Sequence, residues 1–85
     1  MFEYTVENEC HRNIGTFNTQ NNATKFAVTY MEDLYDSEKN EINKRLIHED
    51  LEKLYAFYGS IGTKYAPKPD KFYFGKYVSI LVREV

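Results

Sequence analysis

The chain has 85 residues, enough for one domain over 1–85 that buries only about 60% of the surface its unfolded form exposes. Apolar residues at 42%, with 16% aromatics, suffice for a core and argue against disorder. A net charge of −2 is too small for an acidic decoy that imitates nucleic-acid phosphates.

Cys10 is the only cysteine, which rules out an internal disulfide framework and fits a reducing cytoplasm. The start, Met1-Phe2-Glu3-Tyr4, lacks the basic region and apolar run of a signal peptide, and no apolar run approaches the roughly 20 residues of a membrane span. The charge is unevenly placed. Residues 1–58 hold 6 Lys/Arg against 11 Asp/Glu, whereas residues 59–85 hold 5 against 2. Such polarity lets a basic end meet an anionic partner while the whole chain stays acidic.

In chain order, Phe2-Glu3-Tyr4-Thr5-Val6 alternates apolar and polar and predicts a half-buried strand, with a turn at Glu7-Asn8-Glu9. His11 to Phe17 predicts a second strand anchored by Ile14 and Phe17, with Gly15 as a possible bulge. Asn18 to Asn22 reads as a polar loop whose last residue caps a helix. Apolar residues at Ala23, Phe26, Ala27, Tyr30, Met31, Leu34 and Tyr35 then form one unbroken helical stripe. Asp36-Ser37 ends that helix, and Ser37 is placed to cap the next.

From Glu38 the helical pattern resumes through Ile42, Leu46, Ile47, Leu51, Leu54, Tyr55 and Tyr58. One helix ending at Gly59 is the first expectation; a break with Asp50 as a second cap is the alternative. Gly59-Ser60-Ile61-Gly62-Thr63 reads as a turn, and Pro67 and Pro69 forbid a helix after it. Phe72-Tyr73-Phe74 and Tyr77 to Val82 read as strands, with Gly75 either bulging one long strand or turning a hairpin. Val78, Ile80 and Val82 share one face. The expected fold is α+β: a small antiparallel sheet made by the N- and C-terminal strands, with two helices packed on one face and the last strand central.

Motifs for chemistry are sparse. Cys10, His11 and His48 fall short of the roughly four ligands zinc needs, and a thiol nucleophile needs an oriented histidine beside it. No enzyme, metal or cofactor is therefore expected. Gly59-Ser60-Ile61-Gly62 before Lys64 has the bare G-x-x-G form of KH loops, but proline-rich coil follows where a KH loop would join two helices. The stretch from Lys64 to Tyr77 interleaves cations with rings. Lys64, Lys68, Lys71 and Lys76 suit phosphates, and Tyr65 and Tyr73 suit base stacking, as in single-stranded RNA binding. Lys71-Phe72-Tyr73-Phe74-Gly75 resembles the aromatic motif of RRM domains, although its glycine positions and the chain order differ. Lys44 and Arg45 would extend the basic track. Glu32, Asp33, Asp36 and Glu38 cluster around the turn between the helices, as a second surface suited to a basic protein.

A very short chain rich in Asn, Lys and Tyr, beginning directly in a strand and lacking a catalytic motif, resembles the small accessory proteins of T-even-type bacteriophages. That resemblance implies an anti-defence protein of the host cytoplasm, and among such proteins are antitoxin-like inhibitors of defence endoribonucleases. It carries no binding residue over to this chain. The leading expectation is a small protein that binds RNA, or a protein–RNA complex, through the C-terminal basic–aromatic surface. The alternative is an inhibitor that uses the acidic helical surface against a basic host protein. Either works without a membrane, as a monomer or as a homodimer paired at a strand edge.

Overall fold

In the computed structural model, which describes residues 2–59 and 70–85, six elements follow one another. They are β1 (Phe2–Asn8), β2 (Asn13–Phe17), α1 (Gln20–Ser37), α2 (Glu41–Gly59), β3 (Asp70–Tyr73) and β4 (Val78–Glu84). The strands form one antiparallel sheet in the order β2-β1-β4-β3, with the two terminal strands paired at its centre. Tyr4 lies opposite Val82 and Val6 opposite Ile80. These four side chains join Ala23, Ala27 and Met31 of α1 and Ile47, Leu51 and Leu54 of α2 in one buried cluster. The alternation of β1 and the three-four stripe of α1 thus meet in a single core, with both helices on one face of the sheet.

Several boundaries differ from the expected ones, each through a side-chain hydrogen bond. β1 runs on through Glu7 and Asn8 instead of turning there. The Asn8 side chain accepts from the Cys10 and Arg12 backbone N–H groups, which moves the turn to residues 9–12 and puts His11 at φ +60 outside any strand. Register jumps from Val6–Gly15 to Glu7–Asn13, so the irregularity lies beside Gly15. A Cβ at Gly15 would stand 2.8 Å from the Phe17 ring and 3.2 Å from the Phe26 ring, so glycine admits that ring pair.

Thr19, not Asn22, caps α1: its hydroxyl accepts from the Asn22 N–H at 3.2 Å. The polar run 20–22 is therefore the first helical turn, and Thr24 within the helix returns its hydroxyl to the Gln20 carbonyl. Ser37 bonds back to the Leu34 carbonyl, and Asn40 takes over as the cap of α2.

α2 is one helix through Asp50. That residue is buried, and its carboxylate accepts from the Tyr77 N–H in the turn between β3 and β4. Gly75 sits in that turn at φ +115, where a Cβ would lie 2.0 Å from the Asp50 carboxylate. The Phe74 N–H reaches the Val78 carbonyl at 3.3 Å, so the segment is a hairpin turn and not a bulge.

Candidate functional site

Strand alternation divides the C-terminal aromatics. Phe72 and Phe74 turn toward the helices and meet Phe57 at ring separations of 5.1 Å each. Lys71 and Tyr73 point to the face of the sheet away from the helices, with Glu3, Glu7 and Arg83. There the charges satisfy one another. Lys71 Nζ lies 2.7 Å from Glu7, and the Arg83 guanidinium pairs with Glu3. The hydrogen bond that the Lys71 ammonium donates to the Glu7 carboxylate raises the Lys71 pKa.

Tyr73 is 64% exposed, with the Lys71 ammonium 5.4 Å from its ring centre. Lys76 is exposed in the hairpin turn, over the ring of Tyr77, which belongs to the core. Lys44 stands 4.8 Å over the ring of Tyr35 in the helical layer, and Arg45 beside it is exposed. The described members of the expected basic track thus lie on the sheet face away from the helices, in the hairpin turn and on the helical layer. Lys64, Tyr65 and Lys68, with the 59–62 glycine motif and both prolines, lie in or beside the span outside the described residues.

The acidic residues behave differently. α1 and α2 run antiparallel, joined by the three residues 38–40. Along their outer seam Glu32, Asp33 and Asp36 line a groove of about 540 Å³ with Tyr35, Leu51 and Tyr55. Leu51 is a core residue, so the floor is apolar, and the walls are rings and carboxylates. Among the described residues, no ion pair involves Glu32, Asp33 or Asp36. The Tyr55 hydroxyl donates to Glu32 at 3.0 Å. Burial, followed by that hydrogen bond and the charge of Glu32, raises the phenol above its ordinary pKa and keeps it a donor.

Glu38 does not join the groove. Its carboxylate accepts from the Lys39 and Asn40 N–H groups and shapes the connection, while its own N–H closes the end of α1. His48, at the rim, lies 3.1 Å from Glu52 and 6.2 Å, ring to ring, from Tyr35.

Tyr55 also borders a second hollow of about 320 Å³, formed with Val28, Thr29, Tyr58 and Lys25. The seam therefore has an acidic half and an apolar half that share one exposed ring. Sequence periodicity assigned Tyr35, Tyr55 and Tyr58 to the buried stripe. Their position at its edge follows from the angle: Tyr55 is one step, about 100°, past buried Leu54 on the helix wheel.

Cys10, His11 and His48 are not brought together. Cys10 is exposed in the turn between β1 and β2, His11 borders a hollow of about 270 Å³ with Tyr73 and Lys76, and His48 sits on α2. Among the described residues no cluster of His, Cys, Asp or Glu is placed to hold a metal, and no helix is long and apolar enough to cross a membrane. No protein family, curated protein or solved structure matches the chain.

Proposed function

We propose that this is a small binding protein that acts by occupancy, taking a basic segment of a partner protein into the groove between its helices. One contrast carries the reading: the described cations of the sheet face, Lys71 and Arg83, already hold glutamates, while Glu32, Asp33 and Asp36 hold no cation. Three carboxylates one to four residues apart on a helix repel one another, and a partner's arginine or lysine relieves that repulsion. An apolar floor beside them lowers the local dielectric and strengthens the attraction. Such a surface speeds encounter with basic partners and loses that advantage as salt rises. For an accessory protein of the phage type, working in the host cytoplasm, a basic host protein such as an endoribonuclease toxin fits the groove.

A second reading, single-stranded RNA at the hairpin, has the exposed Tyr73 ring and Lys76 in its favour. It requires Lys71 to exchange Glu7 for a phosphate.

Fluorescence anisotropy separates the two, with a labelled Arg/Lys-containing peptide of about twelve residues and a labelled single-stranded RNA of about twelve nucleotides. Neutralising the groove with Glu32→Gln, Asp33→Asn and Asp36→Asn is expected to weaken peptide binding about tenfold or more. Replacing Tyr73 and Lys76 by Ala leaves that binding within about twofold. Peptide binding that ignores the groove substitutions, beside RNA binding that is lost with Tyr73 and Lys76, overturns the proposal in favour of RNA.

A further inference from the structure

The apolar half of the interhelical seam adds a requirement that charge alone does not impose. Resting on the acidic-groove reading, we infer that the partner segment is bipartite, with an apolar side chain seated against Val28 and Tyr58 and a cationic one against Asp33 and Asp36. The two hollows adjoin at Tyr55, which lines both and is 46% exposed. Its ring gives the apolar group one wall and the stem of an Arg or Lys the other.

Helix geometry sets a minimum spacing. Val28 and Asp33 are five residues apart on α1, a rise of about 7–8 Å, and about 140° apart around the helix, so the rise is the least distance between the two subsites. An extended peptide places side chains on one face about 6.6–6.8 Å apart at every second residue. A helical segment places them about 6 Å apart at every fourth. The apolar and basic residues of the ligand are therefore at least two apart if it is extended and at least four apart if it is helical.

Lys25 fixes the direction. It borders the apolar half at the end away from the carboxylates and repels a second cation there. The molecule also shows that a ring on this seam accepts a cation, because its own Lys44 sits over Tyr35 at 4.8 Å. The ligand class is a peptide with an apolar–basic pair, whereas a uniformly basic tract would fill only half the seam.

The test is selection of a random peptide display library of about twelve-residue inserts on the intact protein, with the selected peptides remeasured by anisotropy against variants. Peptides carrying an apolar residue two or more positions from Arg or Lys are expected. Val28→Asp should weaken them about tenfold, and so should Asp33→Asn, with circular dichroism unchanged in both. Asp33 is exposed, whereas Val28 is half-buried against the core, so Val28→Thr, a milder change, repeats the test if Val28→Asp does not fold. Peptides that are merely basic, lost with Asp33→Asn but indifferent to both Val28 variants, overturn the bipartite ligand and leave the acidic groove standing. Peptides indifferent to Asp33 and Asp36 overturn both.

Discussion

The face of the sheet away from the helices and the outer seam of the helices carry comparable numbers of charges and use them in opposite ways. On the sheet, Glu3 meets Arg83 and Glu7 meets Lys71 across neighbouring strands, so the face is nearly neutral and its ions are occupied. On the helices, Glu32, Asp33 and Asp36 follow one another along one groove, and none has an ion-pair partner among the described residues. A count of lysines along the sequence favours the C-terminal strands as the interaction surface. The pairing of Lys71, and of Arg83 near it, favours the helices. Exposed ion pairs of the sheet kind add little stability, so their main consequence here is to remove cations from the free surface.

The largest expected effect breaks the sheet side of this contrast. Gly75→Ala puts a Cβ onto the Asp50 carboxylate at a φ that L residues rarely adopt. Denaturant titration should show a loss of about 3 kcal/mol or more, or no folded protein. An unchanged midpoint would mean that Asp50 does not pin the hairpin.

The next effect depends on pH. Burial raises the Asp50 pKa above the ordinary carboxylate value, outweighing the lowering by Lys53 and by the Tyr77 N–H. A raised carboxylate pKa means that Asp50 favours the fold most when both states are protonated, below about pH 3.9. This contribution is lost as pH rises from there through the folded-state pKa. Asp50→Asn keeps an acceptor for the Tyr77 N–H and has no such loss. Its denaturation midpoint should gain on wild type as pH rises from about 3.9 through the folded-state pKa of Asp50, and a constant difference contradicts the assignment.

Thr5 tests the sheet face itself. It is buried among its neighbours there, and its hydroxyl has no partner. Thr5→Val should stabilise the protein by about 1 kcal/mol in thermal or denaturant unfolding.

The smallest effects on stability are the most telling for function. Glu32→Gln, Asp33→Asn and Asp36→Asn together should move stability by no more than about 0.5 kcal/mol while weakening peptide binding about tenfold or more. Glu7→Gln should leave the peptide affinity unchanged. By breaking the Lys71–Glu7 pair it should raise affinity for single-stranded RNA, so an RNA affinity equal to wild type would show that the pair does not hold the lysine back.

The architecture was legible because it rests on periodicity. Phe2, Tyr4 and Val6 alternate, α1 never misses a step, and the apolar run from Val78 to Val82 does occupy the centre of the sheet. The missed boundaries at Thr19, Asn8 and Asn40 share a cause. In each, a short polar side chain bonds a backbone N–H two to four residues ahead, and several neighbouring Asn, Thr and Ser residues were equally able to do so. Asp50 looked like a cap for the same reason, and its actual partner lies 27 residues further on, beyond local reading.

The acidic cluster was visible in the sequence. What its residues share a groove with was not, because Tyr55 and Leu51 come from the other helix, and the seam exists only once the helices pack. The pairing of Lys71 with Glu7 likewise depends on strand order, which charge counts do not contain.

A two-probe NMR titration of the intact, isotopically labelled protein addresses the central claim directly. The account predicts that an Arg/Lys-containing peptide shifts backbone amides within residues 28–36 and 48–58 and leaves those of 71–79 in place, with the effect fading as salt is raised. Shifts confined to 71–79, produced by single-stranded RNA and not by the peptide, would contradict it.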